Sequence, residues 1–205
     1  MKIKICGITN QEDALICETL RVDYLGFIFY PKSKRFINYQ KAKKIIQKLG
    51  VYTNKVGVFV DTKAEQINNI GKEIGLTHVQ LHGDENPDEV KKIDFPVIKA
   101  LSGNNKNIGN EIKLFSNADL ILLDSMTTGQ KGGTGKTFNW LNLNNIKDKS
   151  KIILSGGLNE ANIIKAINET NIEFFDVCSG VEESPGIKNI KKLETIVELI
   201  HNEKK

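Results

Sequence analysis

Six side chains able to donate, accept or attack stand where short apolar runs end: Cys6 after Ile3 and Ile5, His82 after Leu81, Lys99 after Ile98, Asp124 after Leu123, Ser155 after Leu154, and Asp176 after Phe175. Cys6 and Asp124 together could take a proton from one atom of a substrate and give one to another. A free thiol titrates at about 8.5 and a free carboxyl at about 4, so both need tuning before they work near neutrality. Burial raises a carboxyl, and nearby positive charge lowers a thiol. Cys17, spaced along a helical pattern, reads instead as a small buried hydrophobe.

Two stops after late apolar runs, Ser155-Gly156-Gly157 and Cys178-Ser179-Gly180, offer main-chain amides that an anion can approach closely. Gly156, Gly157, Ser179 and Gly180 are therefore the candidate phosphate cradle, with a short helix beginning near Ser179 aimed at the same point. Gly132-Gly133-Thr134-Gly135-Lys136-Thr137 is not a nucleotide P-loop, because Gln130 stands where that motif needs glycine and no long amphipathic helix follows. It reads as a flap over a site. His78 and His82 lie four apart on a strand with no acidic or thiol cluster beside them, so no metal is expected.

These residues need elements to bring them together. Strands are expected near residues 2–6, 24–29, 55–60, 78–81, 95–100, 120–123, 152–154 and 174–177. Between them come helical spacings such as Ala42, Ile45, Ile46 and Leu49; Ala64, Ile67, Ile70 and Ile74; Ala161, Ile164 and Ile167; and finally Ile190, Leu193, Val197 and Ile200. Thr9 with Glu12 and Thr62 with Glu65 read as capping boxes, Asn86-Pro87 as an N-cap with proline at the first helical position, and Asn159 as a further cap. Eight strand-then-helix alternations predict an α/β fold, a compact single (β/α)8 TIM barrel over residues 1–205, rather than an open doubly wound sheet, which usually has fewer units. In such a barrel the strand C-termini form one shared mouth.

Apolar content of 40% and charged content of 26% in 205 residues suit one soluble domain. A net charge of +4, spread as single lysines without an aromatic-laced basic stripe, gives no nucleic-acid partner. No run spans a bilayer and no signal peptide is evident, so no membrane is expected and the location is cytoplasmic. Three cysteines are too few for a disulfide framework. Arginine occurs only at Arg21 and Arg35, and a retained guanidinium fork hints at grip on a carboxylate or phosphate.

The motifs Lys4-Ile5-Cys6-Gly7-Ile8-Thr9, Gly26-Phe27-Ile28-Phe29-Tyr30-Pro31-Lys32-Ser33-Lys34-Arg35, Val79-Gln80-Leu81-His82-Gly83, Leu122-Leu123-Asp124, Leu154-Ser155-Gly156-Gly157-Leu158 and Asp176-Val177-Cys178-Ser179-Gly180-Val181-Glu182 converge. The chain resembles the phosphoribosylanthranilate isomerase family over nearly its whole length. The resemblance implies a cofactor-free Amadori rearrangement in tryptophan biosynthesis, with Cys6 as general base and Asp124 as general acid. It further implies that Arg35 grips the anthranilate carboxylate, that His82 and Asp176 line the pocket, and that the two late loops bind phosphate. The expected partner is a phosphorylated sugar-anthranilate, with the chain a monomer or homodimer. Cys178 departs from the family pattern, which carries serine there. Another sugar-phosphate isomerase or synthase, or a phosphate binder without catalysis on the same barrel, is the alternative.

Overall fold

The computed structural model describes residues 1–125 and 137–203. Eight parallel strands close into a barrel: β1 (Lys2–Cys6), β2 (Tyr24–Ile28), β3 (Asn54–Phe59), β4 (His78–Leu81), β5 (Val97–Ser102), β6 (Leu120–Asp124), β7 (Ile152–Leu154) and β8 (Phe174–Val177), in sequence order. Pairing of β1 with β8, Lys4 opposite Asp176 and Ile5 opposite Val177, closes the sheet. The strand ends that carry Cys6, Asp124 and Asp176 therefore face the same rim.

Every strand has two buried faces, because helices cover the outside and side chains fill the inside. Period-two alternation sorts the residues. Tyr24, Val56, Ile98, Ala100, Leu122, Ile153 and Phe174 make the small inner core, while Ile3, Ile5, Leu25, Phe27, Val79, Leu81, Leu123 and Phe175 pack outward. The outer layer comprises α1 (Gln11–Thr19), α2 (Tyr39–Ile46), α3 (Ala64–Ile74), α4 (Pro87–Val90), α5 (Ile108–Leu114), α6 (Ile163–Thr170) and α7 (Ile190–Asn202), with a 3-10 turn at Trp140–Asn145 between β6 and β7. After β8 the chain makes a 3-10 turn, Ser179–Val181, and a small antiparallel hairpin, β9 (Glu182–Ser184) with β10 (Ile187–Lys188).

Several local expectations change. Asn10, not Thr9, caps α1, its side chain accepting from the Asp13 N–H, while the Thr9 hydroxyl donates to the Gly186 carbonyl. Lys63 occupies the α3 cap without a side-chain bond, and the Thr62 hydroxyl turns back to the Val60 carbonyl. A glycine at φ +80, Gly75, ends α3 as its place in the sequence requires. Asn86 caps α4 as read. Helix α6 starts at Ile163, and Ile163, Ala166 and Ile167 face inward in place of Ala161 and Ile164; the segment from Asn159 is a turn whose side chain accepts from the Ala161 N–H. The flap at 132–137 lies outside the described residues up to Thr137.

Candidate active site

At the centre of the barrel Lys4 is fully buried, and its Nζ donates to Asp176 Oδ1 at 2.8 Å. The second Asp176 oxygen accepts from the Ser155 hydroxyl at 3.1 Å, which joins β1, β8 and β7 by one polar chain in the interior. Gly26 on β2 marks where this chain meets the thiol: a Cβ there would lie 2.8 Å from Cys6 Sγ and 3.1 Å from Lys4 Nζ. The lysine ammonium and the Cys6 sulfur thus flank one spot one layer apart. Two opposing influences act on Lys4, burial lowering its pKa and Asp176 and Cys6 raising it, and the latter win.

Cys6 is brought down to about 6, first by a hydrogen bond from the Cys178 thiol, against the opposing effect of burial, and then by the Lys4 charge. Its surroundings thus favour the thiolate over the thiol. Cys17, on the buried face of α1, is pushed up to about 12, chiefly by desolvation, which outweighs the Lys188 charge. The contrast separates a reactive sulfur from an inert one.

Across the rim Asp124 is held from two sides. Burial pushes its pKa up, but His82 and the hydrogen bonds from Ser125 outweigh it and keep the carboxyl below the usual range. The Ser125 N–H donates to Oδ1 at 2.7 Å, and His82 Nε2 stands 3.5 Å from Oδ2. Gln80, the inward residue of β4 below, donates its amide to His82 Nδ1 at 2.8 Å. With the amide as donor, Nδ1 accepts and the ring proton falls on Nε2, the nitrogen 3.5 Å from the carboxylate.

Arg35 comes from the loop after β2, which folds back through a bridge between Ile28 and Phe36. Its guanidinium grips Glu182 as a fork, Nε to Oε1 at 2.8 Å and Nη2 to Oε2 at 2.7 Å, leaving Nη1 for another partner. Lys188 Nζ donates to the same Glu182 at 3.0 Å and to the Cys6 carbonyl at 2.6 Å. The β9–β10 hairpin is thereby fastened to the end of β1. Gly7, at φ +76, leaves room for this: a Cβ would lie 2.7 Å from Arg35 Cδ and 3.2 Å from Cys178 Sγ.

The two late loops touch. A Cβ on Gly180 would fall 1.9 Å from the Leu158 carbonyl, so only glycine lets the turn after β8 lie on the loop after β7. Gly156, at φ +90, approaches the Asp124–Ser125 peptide, with a Cβ position 2.9 Å from Asp124 Oδ1. The N–H groups of Gly156, Gly157, Ser179 and Gly180 have no acceptor among the described residues. Amides without a protein acceptor on adjoining loops have the chemistry to take an anion.

The rim thus unites Cys6, His82, Asp124, Asp176 and Ser155 as the sequence reading expected, with Arg35 beside them. Lys99 does not belong: it lies between inward-facing Ile98 and Ala100, so parity sends it outward, where Nζ bonds Glu85 at 2.7 Å and the Gly83 carbonyl at 2.8 Å. Sequence reasoning gave no role to Lys4, Gln80, Ser125, Glu182 or Lys188. A signal existed for Lys4, a lysine two residues before Cys6 and hence on the same face of one strand. Among the described residues no cluster of three metal-ligating side chains occurs and no helix is long and apolar enough to cross a membrane.

A closed eight-stranded barrel that gathers a thiol, a carboxylate and several backbone amides on one rim is the frame of a (β/α)8-barrel enzyme. Residues 3–199 match the family described as PRAI, N-(5'phosphoribosyl)anthranilate (PRA) isomerase, and the chain belongs to that family. It is 42% identical over 200 residues to N-(5'-phosphoribosyl)anthranilate isomerase of Bacillus mycoides, covering 96% of each chain. Phosphoribosyl anthranilate isomerase from Thermotoga maritima superimposes with a TM-score of 0.91 at 36% identity, over 99% of this chain and 100% of that one. A further solved isomerase, in complex with reduced 1-(o-carboxyphenylamino)-1-deoxyribulose 5-phosphate, is 33% identical with a TM-score of 0.85, over 99% of this chain and 100% of that one.

Proposed function

We propose that the chain converts N-(5'-phosphoribosyl)anthranilate to 1-(2-carboxyphenylamino)-1-deoxyribulose 5-phosphate in tryptophan biosynthesis in the cytoplasm, with no cofactor, and with Cys6 as base and Asp124 as acid. The observation that carries this reading is the shared rim on which a primed thiolate and a histidine-backed carboxylate stand together. Asp124 gives a proton to the furanose ring oxygen; the C–O bond opens and a Schiff base forms. The Cys6 thiolate then removes the proton on C2, and the electrons move to give an enolamine, which relaxes to the ketone. Aldose and ketose are isomers, so neither electrons nor atoms are gained.

Asp124 needs a proton that the unliganded carboxylate lacks. A bound substrate that excludes water and carries negative charge raises the carboxyl toward taking a proton from solvent, while His82, with Nε2 3.5 Å from Oδ2, holds the carboxyl in place. The free Nη1 of Arg35 faces the anthranilate carboxylate, and Gly156, Gly157, Ser179 and Gly180 take the phosphate. Asp176 lines the pocket floor while anchoring Lys4. The chain works as a monomer or a homodimer.

The fluorescence of the anthranilate compound, followed as purified protein is added, tests the proposal. Change at the spontaneous rate only would overturn it. Cys6→Ala and Asp124→Asn should each lower kcat by about 10²–10⁴-fold. A phosphate binder without catalysis predicts no turnover before mutation; another sugar-phosphate isomerase predicts equal turnover of a substrate lacking the carboxylate.

A further inference from the structure

The departure at Cys178 places a second thiol beside the first. Ile5 pairs with Val177 across the β1–β8 seam, so Cys6 and Cys178 are the next residues along the two chains at the rim. Neighbouring strands run about 4.8 Å apart, inside the range of about 4.4–6.8 Å between Cα atoms that a disulfide accepts. Cys6 and Cys178 each stand two positions beyond Lys4 and Asp176, whose side chains meet inside the barrel, so strand alternation turns both thiols inward, and Cys178 Sγ lies 3.2 Å from the Cβ position of Gly7, the residue after Cys6. Cys6 is 6% exposed and Cys178 half-buried, whereas Cys17 is sealed at 0%.

We propose that Cys6 and Cys178 form a peroxide-sensitive modification site, in which hydrogen peroxide joins them as a reversible disulfide and so withdraws the base from the rim. The identity of Cys6 as base rests on the reading above; the bond itself does not. The Cys6 thiolate attacks one peroxide oxygen, the O–O bond breaks, and the leaving hydroxide takes up a proton to become water. Cys6 is then a sulfenic acid. Cys178 sulfur attacks Cys6 sulfur, its proton leaves with the departing hydroxide as a second water, and the S–S bond closes. Two thiols lose two electrons and one peroxide gains them.

Charge around the pair favours this order. Facing Cys6 are Lys4 from β1, Asp176 from β8, Cys178 itself and Lys188 from β10. Cys178 is held well above its ordinary value, first by the hydrogen bond it gives Cys6 and then by burial, with Lys188 and Arg35 acting to lower it. Once Cys6 is oxidised and no longer a thiolate, the first of these disappears and the two cations remain. Attack falls to Cys6 first and to Cys178 second.

The test exposes the reduced, full-length chain to hydrogen peroxide and reads intact mass, tryptic peptides and isomerase rate. The mass should fall by about 2 Da with the Cys6 and Cys178 peptides joined, and dithiothreitol should reverse it. Cys17→Ser should behave as the parent. Cys178→Ser should instead gain about 16 to 32 Da at Cys6. Free thiols after treatment, a bridge through Cys17, or a reversible 2 Da loss surviving Cys178→Ser, each overturn the proposal. Because mass reports the bond independently of turnover, a chain that bridges but never isomerises overturns only the function proposed above, and one that isomerises but never bridges overturns only this inference.

Discussion

At the scale of single residues, Cys178 and then Lys4 set what the thiol can do. With Cys6 near 6, its basic form is lost as pH falls through that value and is full above it. The acid limb of kcat/KM should therefore rise with pH through about 6 and then level. In Lys4→Met one of the charges favouring the thiolate is gone, so the same limb should move to higher pH; a profile unchanged from the parent would count against the lysine. Arg35→Lys loses the fork to Glu182 and the planar grip that a carboxylate needs. Its KM for phosphoribosylanthranilate should rise by about tenfold or more, the scale of one charged hydrogen bond, with kcat less affected.

At the scale of elements, the loops hold one another. Gly180→Ala would drive a methyl into the Leu158 carbonyl and part the two amide-bearing turns. We expect it to lower Tm by about 4–8 °C, from about 2 kcal/mol, and to raise KM, readable by differential scanning and by competition with inorganic phosphate. The strand ends were legible from the sequence because glycine and proline punctuate short β-branched runs, and a parallel barrel sends all those ends to one side. Parity was harder. Lys4 and Lys99 are lysines in equally apolar strands, yet one points inward to Asp176 and the other outward to Glu85, a difference set by the residues alternating with them. Caps slipped by a residue or more where Thr9, Thr62 and Asn159 had competing partners. The β9–β10 hairpin escaped notice because Glu182, Glu183 and Ser184 carry no apolar alternation; Glu182 is buried by its ions rather than by hydrophobicity.

At the scale of the whole molecule, closure is a polar event. Strand β8 meets β7 through a single backbone pair, Leu154 with Phe175, and the Ser155–Asp176–Lys4 chain spans that thin seam. Removing one partner of a buried ion pair costs about 3–5 kcal/mol, so Lys4→Met should depress Tm by roughly 10 °C. Adding Asp176→Leu should restore most of that loss, since two apolar groups need no partner, while turnover stays low. Recovery of stability and activity together would mean that the pair serves packing alone.

The bond from Lys188 to the Cys6 carbonyl spans 182 residues of chain, and that from Lys4 to Asp176 spans 172. Residues made first are completed by residues made last. On the ribosome the opening strand must wait until the final hairpin emerges from the exit tunnel before its Cys6 carbonyl and Lys4 ammonium find their partners.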